Sequence, residues 1–304
     1  MSIVLFGADG QLGYELHRSL SALDDVHACT RSGRLPGGFI GERADFSEPD
    51  QAAAVIRRLQ PRAVVNAVAY TAVDKAEDEV QLAQRINADA VAEIAAACAH
   101  TGSTLMHYST DYVFSGNNNR PWREDDATGP LSVYGNTKLA GEDAIRASGC
   151  PHLIFRTAWV YAARGHNFLR TMLRLAAERD ELRVVNDQIG SPTSARWLAD
   201  VSTLALHTRP QGSGTWHAVA AGQCSWSTFA EAIFADALAA GLIARVPTVT
   251  GIASSEYPTR AVRPAYSVLD TARLRNDFAL SPPDWRQGLR QVITELMVVR
   301  GNLL

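Results

Sequence analysis

No stretch of this 304-residue sequence stays apolar for the roughly 20 residues a bilayer-spanning helix needs, so a membrane span is not expected. The apolar run at residues 3–6 is too short for a secretory leader, and no basic segment precedes it. A cytoplasmic protein is the expectation. Charge of one sign is also lacking. The 29 basic and 32 acidic side chains leave a formal net charge of -3. They are mixed along the chain without a basic block, which removes the electrostatic footprint of a nucleic-acid binder. Cysteine is sparse. Cys29, Cys98, Cys150 and Cys224 form no C-x-x-C pair and have no histidine cluster beside them. They read as small buried hydrophobes, not as disulfides or metal ligands. Internal repeats and low-complexity segments are absent as well.

What is present is alternation. Residues 3–6, 26–30, 63–69, 104–109 and 152–157 are short apolar runs that read as buried strands, with 39–44 as a further candidate. Helical spacing falls between them at 14–23, 51–59, 82–100 and 133–147, and later at 168–178 and 228–240. The proline-bearing stretch 247–264 reads as loop. Strand–helix alternation of this kind predicts an α/β fold, a Rossmann-type doubly wound parallel sheet. The pattern becomes irregular beyond Tyr161. A nucleotide-binding domain over 1–160 is therefore expected, followed over 161–304 by a smaller α/β domain for substrate, with some segments returning to the first.

Gly7, Gly10 and Gly13 stand between the first strand and the first helix. Glycines there permit a tight turn and close backbone approach to a pyrophosphate, which the helix N-terminus then attracts. The second strand ends in Arg31-Ser32, where an NAD-selective site would carry an acid. An arginine suits a 2′-phosphate, so NADPH is the expected cofactor, with NADH as the alternative. Asp45 and Phe46 follow the next candidate strand, near where adenine would lie. Tyr134 and Lys138 are four residues apart and so share a helix face. A cation beside a phenol lowers its pKa, and a phenol so tuned can protonate a reduced ketone. Thr110 and Asp111 close the strand at 104–109, at the strand end where ligands bind in open α/β sheets.

The G-x-x-G-x-x-G spacing resembles the extended short-chain dehydrogenase/reductases. The segments LFGADGQLG, AYTAVDKAE, HYSTDYVF, VYGNTKLAGE, LIFRTAWVY, NDQIGSPT and YPTRAVR, spread over nearly the whole chain, resemble the dTDP-4-dehydrorhamnose reductase family. The resemblance implies reduction of the C4 ketone of a dTDP-deoxysugar, the last step of dTDP-L-rhamnose synthesis. It also implies a set of roles. Gly10, Gln11 and Leu12 would meet the cofactor pyrophosphate, and Asp45 and Phe46 the adenosine. Ala69, Tyr70, Thr71 and Tyr108 would line the dinucleotide cleft. Thr110 and Asp111 would bind the sugar, Trp159 would pack beside it, and Arg263 would pair with the substrate pyrophosphate. Tyr134 would be the proton donor, tuned by Lys138, with Thr110 on the reacting oxygen.

Some members of that family dimerise around a magnesium ion held by glutamates. Glu15 and Glu295 match two of those positions, but Arg196 stands at the third. A guanidinium is no ligand and repels a cation, so no metal is expected there, and the chain is expected to be a monomer or a weak homodimer. Two other readings remain open. A related sugar-nucleotide dehydratase is disfavoured by Thr110-Asp111-Tyr112, which carries one acid and no following glutamate, and a related epimerase would need NAD retained through purification. A non-catalytic regulatory relative of the same fold would have no need of Thr110, Tyr134 and Lys138 together.

Overall fold

The computed structural model describes residues 2–209 and 211–301, the last three without their side chains. In chain order the first half runs β1 (Ser2–Phe6), α1 (Gln11–Leu20), β2 (Asp25–Thr30), β3 (Glu42–Arg43), α2 (Gln51–Leu59), β4 (Ala63–Asn66), α3 (Val73–Ala76), α4 (Val80–Gln84), α5 (Ala90–Thr101), β5 (Thr104–Thr110), α6 (Val133–Ser148) and β6 (His152–Thr157). The second half adds β7 (Val160–Tyr161), α7 (Phe168–Glu178), β8 (Glu181–Val185), β9 (Ile189–Gly190), β10 (Thr193–Ser194), α8 (Ala195–Thr208), β11 (Gly214–His217), β12 (Cys224–Ser225), α9 (Trp226–Ala239), β13 (Thr248–Ile252), α10 (Ala272–Phe278) and α11 (Trp285–Gly301).

Seven strands form one parallel sheet in the order β11-β6-β5-β4-β1-β2-β3. The order reverses at β1, and the cleft outside the strand ends at such a switch point is where an α/β sheet takes its ligand. β4 is wholly buried and β1 nearly so, which explains their unbroken apolar sequences. One face of the sheet packs on α1, α8 and α10 through Leu16, Leu20, Leu198, Leu206 and Leu274. The other packs on α2, α5 and α6 through Val55, Ile56, Ile94 and Ile145. Helices therefore cover both faces, and β11 brings residues 214–217 back to the sheet's edge.

A third core joins α7, β8, α9 and α11, with Phe229, Phe234 and Trp285 at its centre. Three two-stranded ladders, β7–β10, β9–β12 and β8–β13, surround it. All four cysteines are buried and free, as small apolar side chains. No helix among the described residues is long and apolar enough to cross a membrane.

Two elements differ from the sequence expectation. The segment 247–264 is not all loop: Thr248 to Ile252 pair in parallel with β8. This edge strand is largely exposed and shows no alternation of apolar residues, so its sequence carries no strand signal. The helix expected at 82–100 contains a π turn at Arg85–Asp89 between α4 and α5. In the candidate strand 39–44, only Glu42 and Arg43 pair with β2.

Candidate active site

The turn after β1 is tight enough to exclude side chains. Gly7 has a φ of 78°, and a Cβ on Gly13 would collide with the Gly7 carbonyl. α1 begins at Gly10 without a capping side chain and carries no acid in its first turn. Its first N–H groups and its positive dipole end are thus left for an anion, which fits a dinucleotide pyrophosphate. Gln11 spans from this turn to the other side of the cleft. Its Nε2 donates to the Val160 carbonyl at 3.3 Å, and its Oε1 accepts from Asn167 at 3.2 Å. Leu12 packs on the core beneath.

The remaining candidates for the dinucleotide separate into two groups. Arg31 is exposed at the end of β2, with its charge acting on Asp45. Asp45 accepts from the backbone and hydroxyl of Ser47, which hold its carboxylate below the usual range against partial burial. The loop carrying Ala69, Tyr70 and Thr71 follows β4, beside the Gly7 turn. Asn87 fixes this loop: its Oδ1 accepts from the Tyr70 N–H at 2.8 Å, and its Nδ2 donates to the Tyr70 carbonyl and to Thr137. Phe46 and Tyr108 are different, because their side chains belong to the core. Phe46 stacks edge-on against Phe6, and Tyr108 packs on Phe155 and donates its hydroxyl to Ser202 at 2.6 Å. The resemblance implied cofactor contacts for both, but apolar packing takes their rings inward.

The catalytic candidates converge at the C-terminal end of β5. Thr110 caps the short turn that follows, accepting from the Tyr112 N–H at 3.1 Å, and its hydroxyl donates to Asp111 at 3.0 Å. The Thr110 hydroxyl also acts on the Tyr134 phenol, favouring its ionised form. α6 lies close enough for this because Gly135 has no side chain: a Cβ there would strike the Tyr112 carbonyl. Ser132 caps the helix, and Glu77 accepts from the Val133 N–H at 2.9 Å. The Tyr112 ring stands edge-on to Tyr134 with centroids 5.8 Å apart.

Burial pushes Tyr134 up to about 12, the Asp111 charge adds to this, and the Thr110 hydroxyl opposes it. Lys138 is buried at 1% exposure and directs Nζ at His107 Nε2, 3.1 Å away, and it is not among the groups acting on Tyr134. Asp111 is pushed up to about 6 by burial, while the Ser267 and Thr110 hydroxyls pull it back.

Beyond this turn lies a cleft of about 830 Å³ between α7, β8 and the 256–263 segment, lined in part by Phe168, Trp226, Arg179, Arg183 and Arg263. Arg263 links the two regions, with a two-pronged pair to Asp74 (2.7 and 3.1 Å) and Tyr112 beside it. Trp159 stacks on Trp226 at 3.4 Å between centroids, in a left-handed backbone conformation (φ 48°), with Gly190 against its indole. Far from this cleft, Glu295 lies near Arg196, Arg164 and Glu15. Burial and Glu15 raise its carboxyl, and the two arginines lower it. No group of three or more potential metal ligands occurs among the described residues.

Sequence reasoning missed Asn87, His107 and Asn66. A lone polar residue in an apolar strand or an alanine-rich helix was the available signal, since such a residue is buried only with a partner.

Fold and site together define a Rossmann-type oxidoreductase of the extended short-chain dehydrogenase/reductase class. Residues 1–298 match the family described as the RmlD substrate binding domain. The dTDP-4-dehydrorhamnose reductase of Escherichia coli K12 is 46% identical over 97% of this chain and 98% of its own. That of Burkholderia thailandensis is 44% identical over 98% and 99%. A solved Bacillus anthracis dTDP-4-dehydrorhamnose reductase in complex with NADP superposes with a TM-score of 0.87 at 34% identity, covering 97% of this chain and 99% of that one. The chain belongs to the dTDP-4-dehydrorhamnose reductase family. A Thermus thermophilus UDP-glucose 4-epimerase, at 18% identity and a TM-score of 0.81, shares the fold.

Proposed function

We propose that this chain reduces the C4 ketone of dTDP-4-dehydro-L-rhamnose to dTDP-L-rhamnose with NADPH as the preferred reductant. The observation that carries the reading is the approach of Tyr134 on α6 to Thr110 at the end of β5, with Lys138 one helical turn beyond. A reduced nicotinamide bound across the strand ends supplies the hydride. The chain's own residues handle the oxygen. Tyr134 donates to the position where negative charge develops, and Thr110 joins it by turning its hydroxyl hydrogen from Asp111 to that oxygen; donors held close to where charge develops lower that barrier. Tyr134 gives its proton to the new alkoxide and regains one from solvent. With its pKa raised, it stays protonated across the working pH range, yet it is still a stronger acid than the alcohol it makes.

Lys138 hydrogen-bonds the nicotinamide ribose in this reading and so orients the reductant. The Gly7–Gly13 turn and the α1 N-terminus hold the pyrophosphate, Asp45 and the 69–71 loop flank the adenosine half, and exposed Arg31 selects the 2′-phosphate. On the substrate side, Trp159 packs beside the sugar, Asp111 accepts from its hydroxyls, and Arg263, from the 161–304 region, pairs with the diphosphate. The test is Tyr134→Phe, which keeps the ring and removes the proton. Its turnover is expected to fall by about 10²–10⁴ with dinucleotide affinity unchanged. Full turnover in the variant would refute the assignment.

A further inference from the structure

Lys138 does not point into open space. Its Nζ ends 3.1 Å from His107 Nε2, and His107 Nδ1 lies 3.2 Å from Asn66 Nδ2. Asn66 and His107 are register partners on neighbouring strands, which places their side chains on the same face of the sheet. All three residues are buried, at 1% exposure or less.

The direction of these bonds follows from their far end. The Val68 N–H donates to Asn66 Oδ1 at 3.0 Å. A backbone N–H cannot accept, so the Asn66 amide turns its oxygen to Val68 and its NH₂ to His107. His107 Nδ1 must then accept, and a neutral imidazole that accepts at Nδ1 carries its hydrogen on Nε2. That Nε2–H is aimed at Lys138 Nζ. An ammonium has three hydrogens and no lone pair, whereas a neutral amine has one. The contact is a hydrogen bond only while Lys138 is unprotonated.

We propose that Asn66 and His107 are positioning residues that hold Lys138 as a neutral amine while the dinucleotide site is empty. The charged groups around Lys138 are consistent with this. Glu142, one turn further along α6, is the acid acting on it, and its charge is already shared between Arg156 from β6 and Arg146. Asp111, in the turn after β5, acts on Tyr134. Asn87, from the π turn, is neutral and is spent on Tyr70 and Thr137. Burial brings Lys138 down to about 8, so the neutral amine prevails only above that pH, and burial holds His107 well below its ordinary value and uncharged. Protonating Lys138 requires His107 to give up its Nε2 hydrogen, which sets Nδ1–H against the Asn66 NH₂. Binding of ribose hydroxyls that accept from an ammonium would supply the compensation, so dinucleotide binding takes up a proton.

The consequence for binding rests on the proposed role of Lys138, but the test does not involve turnover. Nitrogen-15 NMR of the full chain, labelled in histidine and lysine and free of dinucleotide, reads both groups. A protonated Nε2 and a bare Nδ1 are expected for His107 above pH 8, where Lys138 is the neutral amine. An Nδ1–H tautomer or an imidazolium would overturn the proposal. In Asn66→Ala the tautomer is released, and the Lys138 titration midpoint is expected to rise by about one unit, a tenfold change in proton affinity. An unmoved midpoint in a folded variant would also overturn it. If Asn66→Ala does not fold, the wild-type tautomer decides alone. Failure of these spectra leaves the reductase reading standing, and a failed reductase assay leaves the spectra standing.

Discussion

Asp111 illustrates how a residue's position conflicts with its charge. Its Oδ2 is buried without a hydrogen-bond partner, next to the Thr110 hydroxyl to which the proposed mechanism gives the reacting oxygen. An unpaired buried acceptor is costly, and such costs concentrate where a ligand will later supply the missing donor. Burial raises this carboxyl from 3.8 to about 6. Because the folded value is the higher one, the associated stability is complete below about pH 4 and is lost as the pH rises through 6. Asp111→Asn removes that loss. Thermal melts are expected to show the variant more stable at pH 7, by on the order of 1–3 kcal/mol, with the difference vanishing below pH 4 and substrate affinity reduced. Equal stability at both pH values would mean the carboxyl is not strained. That Tyr134, Thr110 and Asp111 would come together at the end of β5 was legible from residue type and position. The direction of Lys138 was not, because its partner His107 lies on another element and reads in sequence as one polar letter in a strand.

Among the elements, the π turn between α4 and α5 shows most clearly what periodicity misses. An alanine-rich run signals helix, but it does not reveal one extra residue in a turn. That residue turns Asn87 toward the 69–71 loop, where it grips both backbone groups of Tyr70 and reaches Thr137 on the catalytic helix. The dinucleotide loop and α6 are thus tied to one side chain. Asn87→Ala is expected to raise the KM for NADPH several-fold and to lower stability by about 1–3 kcal/mol, since buried groups lose their partner. Steady-state kinetics with a denaturant melt checks both, and an unchanged KM would show that the loop holds itself. β1, β4, β5 and β6 were readable because burial on both faces leaves largely apolar runs. β13, paired at an exposed edge, left no such mark.

Across the whole molecule, the sheet gathers residues from 7 to 138 at its strand ends, and the C-terminal core places Trp159, Trp226 and Arg263 on the opposite side of the cleft. The strand–helix alternation of the first half predicted the sheet. The return of 214–217 to its edge was only generally foreseen, because four residues carry little periodicity. Arg196 sits close enough to Glu295 to lower its carboxyl, and a guanidinium there opposes a bridging cation. Size-exclusion chromatography with and without EDTA is therefore expected to give the same elution volume, and a chelator-sensitive dimer would contradict this.

The central claim is that these strand ends form a reductase for a dTDP-4-ketosugar. It is tested most directly by following NADPH oxidation with dTDP-4-dehydro-L-rhamnose, beside an NADH control. Saturable oxidation that yields dTDP-L-rhamnose, faster with NADPH, is the expected result. No oxidation of either dinucleotide by the folded protein would contradict the account.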